Sequence, residues 1–367
     1  MKKIIYVIVI AAFATFLPLD MIAQGCVAIR STGGFCTAEA SETMQHGGNY
    51  IFTANNRYFK SFRHFVGTEE QHERLEENTE VVNYSYSLDL SLTRVLNNRW
   101  SIALTAPIIS NTRSSLYEHG GNNSGNNARH TTNSFGLGDI RIAAYRWLFD
   151  PATAKKGNVQ LGLGLKLPTG DYKFEDYFIK NDSTKILGPV DQSIQLGDGG
   201  TGITAELNAY YHFSEIFSVY GNFYYLANPR EHNGVSSARG GAPSATALRY
   251  GSAVMSVPDQ YMARVGVNAS FDKLTLSAGL RDECLPAHDL IGGSNGFRRP
   301  GYIISAEPGI SYQFKKFNMY AFVPIALARD RTQSVPDEIR TQVTGVYAQG
   351  DAAFADYAVN VGLSFRF

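Results

Sequence analysis

Ten charged residues of this 367-residue chain stand at alternate positions within otherwise apolar segments, where their side chains would share one face. Five are acidic and five are basic: Asp89, Asp139, Glu206, Glu307 and Asp356, with Arg141, Lys166, Arg264, Arg281 and Arg366. Charges enclosed in a narrow, partly dry space should pair, because an unpaired charge loses its hydration without compensation. The equal numbers predict a self-neutralising network. The alternative is that these residues line a path for a polar or aromatic solute; no ring of a single sign, which would indicate ion selectivity, is visible.

A second candidate for chemistry is His288 with the later Ser294-Asn-Gly sequence. It shares part of a signature resembling His-x-Ser-Asn-Gly in outer-membrane phospholipase A, where base and nucleophile lie two residues apart on one strand. Here His288 lies six residues from Ser294, and Gly292 and Gly293 between them indicate a loop. The geometry of a nucleophile and its base is therefore not encoded. We predict that the protein is not an enzyme and needs no cofactor.

The elements that would position the charged residues are strands, and residues 353–367 show the pattern best. Apolar residues occupy every second position from Ala355 to Phe367, and small or polar residues lie between them. A period of two predicts a β-strand with one apolar and one polar face. Such a strand, ending on an aromatic residue, is typical of a membrane barrel with lipid outside and a polar interior.

About twelve such segments follow one another between residues 49 and 367, and their connections alternate strictly in length. The long connections are predicted near 59–80, 111–133, 171–200, 229–259, 283–300 and 330–352, and the short ones near 97–98, 150–157, 214–216, 272–273 and 315–316. Outer-membrane barrels have short periplasmic turns and long extracellular loops. The sequence therefore predicts an all-β fold, a transmembrane antiparallel up-and-down β-barrel of about 12 strands over residues 49–367.

The N-terminus predicts export. Lys2 and Lys3 precede an apolar run over residues 4–17, so residues 1–23 are predicted to be a signal peptide. Residues 24–48 would form a periplasmic segment closed by a Cys26–Cys36 disulfide, since export permits oxidation. Lipidation of Cys26 is the alternative. Cys284 is expected to be a free buried thiol.

Composition argues against two further functions, nucleic-acid binding and metal binding. Lys+Arg and Asp+Glu both number 33, which gives no electrostatic footprint for nucleic acid. Three cysteines without a histidine at ligand spacing predict no metal site.

Three glycine-rich motifs connect the chain to a known family. They are Phe135-Gly-Leu-Gly-Asp-Ile-Arg141, Leu161-Gly-Leu-Gly-Leu-Lys-Leu-Pro-Thr-Gly-Asp171 and Leu196-Gly-Asp-Gly-Gly-Thr-Gly202. In order and spacing they resemble outer-membrane proteins of the meta-pathway of phenol degradation family. The resemblance covers residues 135–225 and implies an outer-membrane barrel that moves aromatic or other hydrophobic compounds.

These observations together predict a porin-like protein of the Gram-negative cell outer membrane. Its expected function is passive transport of small solutes, hydrophobic or aromatic in class. The alternative is a structural or surface-interaction barrel with a self-plugged lumen and functional extracellular loops. The expected partners are outer-membrane lipid and the barrel-assembly machinery, for which the terminal Phe367 resembles the recognition signal.

Overall fold

The alternating segments become strands of one closed wall, because a barrel satisfies every backbone group while one face meets lipid and the other the interior. The computed structural model describes residues 49–121 and 128–367. Within these residues twelve antiparallel strands form the wall, as predicted. They are β1 (Tyr50–Val66), β2 (Val82–Val95), β3 (Trp100–Ser115), β4 (His130–Leu137 and Arg141–Trp147), β5 (Gly157–Lys166), β6 (Gly202–His212), β7 (Phe217–Ala227), β8 (Gln260–Phe271), β9 (Leu274–Leu285), β10 (Gly301–Gln313), β11 (Phe317–Phe322 and Ile325–Asp330) and β12 (Ala352–Arg366).

Each strand pairs with the next along the chain, and β12 pairs with β1 to close the wall. The closing seam runs from Ile51 opposite Arg366 to Phe65 opposite Ala352. The seam therefore leaves no open edge between the first and last strands, which would otherwise expose unpaired backbone groups.

The connections alternate in length as predicted, although several boundaries differ. The short ones span 96–99, 148–156, 213–216, 272–273 and 314–316; the long ones span 67–81, 116–129, 167–201, 228–259, 286–300 and 331–351. Strand β1 continues past the predicted end at residue 58 because it keeps pairing with β12 as far as Phe65. Strand β9 continues to Leu285, so residue 283, predicted to begin a loop, lies in the wall.

The long connections carry structure of their own, all at the end of the barrel opposite the short turns. Their described residues contain three helices, α1 (Glu73–Glu76), α2 (Ala245–Tyr250) and α3 (Val335–Thr344), a 3₁₀ turn (Gln192–Ile194), the short strand Glu69–Glu70, and two hairpins (Glu175–Asn181 with Thr184–Pro189, and His232–Ser236 with Val254–Ser256). Helix α3 begins at a capping box formed by Ser334 and Asp337 and ends at Gly345 in the left-handed region. None of the helices in the described ranges is long and apolar enough to cross a membrane.

The outer face of the wall is apolar. On β5 the outward side chains Leu161, Leu163 and Leu165 are 43%, 65% and 48% exposed, whereas Gln160 and Lys166 on the other face are buried. Exposed aromatic rings gather near the short-turn end: Tyr211, Phe213, Phe217, Phe271, Tyr312, Phe314 and Phe367. An apolar band bordered by aromatic residues is the surface that a barrel presents to lipid.

Interior rings pack directly over glycines of the neighbouring strand. A Cβ atom added at Gly162 would lie 2.7 Å from the ring of Tyr145, and one at Gly266 would lie 2.6 Å from the ring of Tyr220. Glycine is needed at these positions because any side chain would displace the ring into the lumen.

The predicted signal peptide (1–23), the segment 24–48 and the Cys26–Cys36 disulfide lie outside the described residues. Cys284, on β9, is buried and is not bonded to another cysteine of the described chain, as expected.

We predict that Leu163→Arg destabilises the folded barrel by about 2–4 kcal/mol, because it places a charge on the lipid face near mid-wall. Urea unfolding in lipid vesicles, followed by the mobility shift on heating in SDS, measures the effect. Leu290→Arg is the matched control, since Leu290 is 73% exposed but lies in a long connection. Equal stability of the two variants would contradict a lipid-facing wall.

Candidate functional site

A salt bridge crosses the interior of the barrel. One Arg57 guanidinium nitrogen on β1 lies 2.9 Å and 3.1 Å from the two carboxylate oxygens of Glu283 on β9. These strands are four positions apart around the wall, so the two side chains meet through the lumen. Their side chains are 5% and 8% exposed, which shows that the bridge is nearly dry.

The bridge continues into a chain of ion pairs along β8, β9 and β10. Arg281 lies 2.8 Å from Glu283 and, through its other terminal nitrogen, 3.0 Å from Glu307. Glu307 also accepts a 2.7 Å hydrogen bond from Nε of Arg264. Each carboxylate therefore lies between two guanidinium groups, an arrangement that compensates for lost hydration.

Further buried charges lie on the opposite side of the barrel interior. Arg141 on β4 lies 3.4 Å from Asp89 on β2, and Tyr145 donates a 3.0 Å hydrogen bond to Glu206 on β6. Asp89 also attracts Arg57, and Glu206 attracts Arg141. Negative and positive side chains thus alternate along this series of contacts. We name the set the charge belt: Glu206, Arg141, Asp89, Arg57, Glu283, Arg281, Glu307 and Arg264.

Six of the ten residues predicted from alternation come together in this belt: Asp89, Arg141, Glu206, Arg264, Arg281 and Glu307. Sequence reasoning missed Arg57 because β1 alternates too loosely to assign its faces. It missed Glu283 because the loop was predicted to begin there. A signal for Glu283 was available, since it follows Arg281 at the strand spacing of two.

Four predicted residues lie elsewhere. Lys166 and Asp139 form a separate cluster at the end of the long connections, and Asp356 pairs with Arg63 and Arg329. Arg366 is half-buried at the short-turn end of β12, opposite Ile51. These four residues are therefore not members of the charge belt.

Lys166 attaches the long connection 167–201 to the barrel wall through hydrogen bonds and ion pairs. Its ammonium lies 3.2 Å from Asp139 and donates a 2.7 Å hydrogen bond to the Gly200 carbonyl; Asp198 is a third partner. Asp139 can reach it because β4 is interrupted at residues 138–140. The interruption thus places a carboxylate where the connection 167–201 folds inward.

A cavity of about 60 Å³ lies between the charge belt and the long connections. Its lining mixes charged, amide and apolar groups: Asp139, Arg141, Lys166, Gln195, Asp198, Tyr224, Leu226, Asn233, Met255, Gln260 and Leu285 among others. A polar cavity of this size has room for a few water molecules or a small solute. Arg141 belongs to both belt and lining, so the cavity reaches the belt.

A second buried group of charges holds the long connections together. Asp191 receives bonds of 2.8 Å and 2.6 Å from Arg299 and one of 2.7 Å from Arg239. Glu118 lies 2.8 Å from Arg113 and 3.1 Å from Arg239. We name these five residues the loop cluster. They come from β3 and four different connections, 116–129, 167–201, 228–259 and 286–300.

The loop cluster keeps both of its acids ionised. Burial alone would raise the pKa of Asp191, but Arg113, Arg299 and Arg239 hold it well below its usual range. Burial likewise opposes ionisation of Glu118, and Arg113 and Arg239 lower the pKa of that carboxyl. The acids therefore contribute stability as anions.

The hydrolase candidates are not arranged for catalysis. The Asp289 amide donates a 2.7 Å hydrogen bond to Oγ of Ser294, while Nε2 of His288 lies 3.1 Å from a Glu338 oxygen. Histidine and serine thus have other partners. Across residues 49–121 and 128–367, no group of three or more His, Cys, Asp or Glu residues could hold a metal ion.

Solved structures with a similar fold are outer-membrane barrels. The COG4313 outer membrane channel from Pseudomonas putida F1 aligns over 88% of this chain and 96% of its own, with TM-score 0.57 and 13% identity. The P. putida toluene transporter TodX aligns over 89% and 92%, with TM-score 0.43 and 10% identity. At 13% identity, the likeness to the COG4313 channel shows a shared fold and nothing further. No protein-family profile and no curated protein matches the chain, so the resemblance to the phenol meta-pathway family stays a prediction.

We predict that Asp191→Asn weakens the attachment of the long connections by about 3–5 kcal/mol, because three buried guanidinium groups lose a shared charge. Limited trypsin digestion of the folded protein in vesicles should cleave these connections faster. Asp182→Asn, an exposed position on the hairpin of the same connection, is the matched control. Equal cleavage of both variants would show that the loop cluster does not hold the connections.

Acid should loosen the same cluster. Since the folded pKa values of Asp191 and Glu118 are lowered, their stabilisation is present at neutral pH, begins to weaken as pH falls below about 4, and is lost only as pH falls through the lowered folded values. Hydrogen exchange of residues 116–121 and 190–196, corrected for intrinsic rates, should show weaker protection at pH 3 than at pH 6. Undiminished protection at pH 3 would contradict this electrostatic account.

Proposed function

We propose that the protein is a narrow channel of the cell outer membrane, which lets small solutes pass passively through the barrel interior. The observation that carries the proposal is the polar, charge-balanced interior with its cavity beside the charge belt. A barrel filled by apolar side chains would offer no such path. The likeness of the fold to the COG4313 outer membrane channel supports the same reading.

The proposed orientation places the long connections outside the cell and the short turns in the periplasm. Phe367 then lies at the periplasmic rim, where its ring stacks against Tyr50 at 5.9 Å. There it is available as the recognition signal for the barrel-assembly machinery. Residues 1–23 would direct export, and outer-membrane lipid would surround the apolar wall.

The solutes we propose are small, with hydrophobic or aromatic compounds as the class implied by the family resemblance. The interior supports a size limit, because the Arg57–Glu283 bridge crosses it and the loop cluster gathers four connections over one end. Lumen-lining residues on this proposal are the members of the charge belt, together with Asp139 and Lys166 beside the cavity.

The same bridge favours a second candidate function. If the bridge never opens, the lumen is plugged, and the protein acts as a structural or surface-interaction barrel through its long connections. Enzymatic activity belongs to neither proposal, so Ser294→Ala should leave any measured hydrolysis unchanged.

We predict small unitary conductances when the refolded protein is inserted into planar bilayers, and flux of small solutes into liposomes. Flux should fall steeply with solute size because the bridged interior is narrow. Protein-free vesicles and heat-denatured protein are the controls. An inserted, heat-modifiable protein with neither channel events nor solute flux would contradict transport and leave the plugged barrel as the function.

A further inference from the structure

We propose that two outward-facing arginines at the short-turn end of the barrel, Arg94 and Arg146, bind the phosphate of an anionic phospholipid. The inference goes beyond the proposed channel function, because it needs the barrel to lie in a bilayer but does not need solute to pass through it. With the proposed orientation, the bound lipid belongs to the periplasmic leaflet.

Both arginines lie on the lipid-facing side of the wall. Arg94 on β2 is paired with Ile102 on β3, and Arg146 on β4 is paired with Trp100 on β3. Directly paired residues of antiparallel strands point to the same face of the sheet, and Ile102 and Trp100 are both exposed on the outer face. The two arginines are exposed as well. Their place beside the short turns is where a charge on the lipid face costs least, because it lies close to the membrane surface.

The two arginines lie on either side of one strand. Strands β2 and β4 both pair with β3, so the arginines are two strand spacings, about 10 Å, apart across the wall. Along β3 their paired positions differ by two residues, or about 7 Å. Two extended arginine side chains can close this separation around one phosphate, whose oxygens accept hydrogen bonds from both.

Each guanidinium group lies against an aromatic ring. The guanidinium carbon of Arg146 lies 5.3 Å from the centre of the Trp100 ring, and that of Arg94 lies 6.0 Å from the centre of the Tyr50 ring. A ring holds the flat face of a guanidinium group and leaves its N–H edge for hydrogen bonds. Within the part of the chain that the structure describes, no carboxylate forms an ion pair with either arginine. The open N–H edges therefore favour an anion from outside the chain.

The neighbouring turns add positive charge. Arg99 lies in the connection 96–99, and Lys155 and Lys156 lie in the connection 148–156. The Trp147 amide donates a 2.9 Å hydrogen bond to the Arg99 carbonyl, which joins the first turn to the end of β4. Asp150 is the single acid in the sequence of these two turns. Bases gathered at a membrane surface attract anionic headgroups.

The position of the two arginines favours a lipid over a dissolved anion. Arg94 follows Leu92 at the strand spacing of two, and Arg146 follows Ile142 at a spacing of four, so each shares its face with an exposed apolar side chain of the same strand. An anion bound there has hydrocarbon beside it. This setting suits a headgroup whose acyl chains run along the apolar wall, whereas a dissolved phosphate would lose hydration to reach it.

Trp100 can report the lipid at this site. It lies on the outer face between the two arginines, whereas Trp147, the other tryptophan of the chain, is buried inside the barrel against Tyr210. A phospholipid brominated near its headgroup quenches tryptophan fluorescence on contact. In phosphatidylcholine vesicles that contain a small fraction of brominated lipid, brominated phosphatidylglycerol should therefore be enriched beside Trp100 about tenfold over brominated phosphatidylcholine.

Paired variants separate a site from general attraction. Arg94→Gln with Arg146→Gln should bring the ratio of the two quenching efficiencies close to unity, and the two Arg→Lys substitutions should give an intermediate ratio because the charge stays but the fork is lost. Lys315→Gln with Lys316→Gln removes the same charge from another exposed turn at the same end of the barrel and should leave the ratio unchanged. Comparing the two lipids within each variant cancels any change in the emission of Trp100 itself.

All measurements use folded, heat-modifiable protein. Equal quenching by the two lipids, or an unchanged ratio in the double Arg→Gln variant, would overturn the site. An equal loss in the double lysine variant would show diffuse attraction by the basic turns and would overturn it too. Loss of the preference on adding glycerol phosphate would assign the arginines to a dissolved phosphate and overturn the lipid as their ligand.

Conductance measured on the same preparations separates this inference from channel function. Lipid preference without conductance would contradict the channel and support the lipid site. Conductance without lipid preference would overturn the lipid site and support the channel.

Discussion

Pairing of desolvated charge inside the wall is the constraint on which the rest of this structure depends. The charge belt joins side chains from seven strands, β1, β2, β4, β6, β8, β9 and β10, so it can form only when those strands hold one register. Alternating signs let each group compensate the lost hydration of its neighbours. A shift of one residue along any strand would turn its charge toward lipid, which makes register and charge pairing mutually dependent.

The protein has two groups of buried charge, the charge belt and the loop cluster, and they join different parts of the fold. The belt joins strand to strand, within a wall that backbone hydrogen bonds already hold. The loop cluster joins connections that have little sheet pairing with one another, so its ion pairs supply much of their order. Asp191 and Glu118 gather arginines from β3, 228–259 and 286–300.

On the proposed channel function, permeation and stability make opposing demands on the interior. A fully paired belt stabilises the barrel, but each pair that spans the lumen also obstructs it. At the Arg57–Glu283 bridge, Glu283 has a second partner, Arg281, on its own strand. Opening at this position leaves the pairs among β8, β9 and β10 intact. The two candidate functions therefore differ in whether the Arg57–Glu283 bridge opens.

The sequence by itself determined the wall, because the alternation of apolar and polar residues in each strand shows which side chains face lipid. Period-two alternation and the alternation of connection length gave twelve strands, and placed Asp89, Arg264 and Glu307 on the inner face. The strand ends were less predictable: β1 continues to Val66 and β9 to Leu285 because neighbouring strands supply pairing partners. Which charges meet was decided only by the closed barrel. Arg57 and Glu283 are 226 residues apart in the chain, and no local pattern encodes a contact that arises when two distant strands face each other across a lumen.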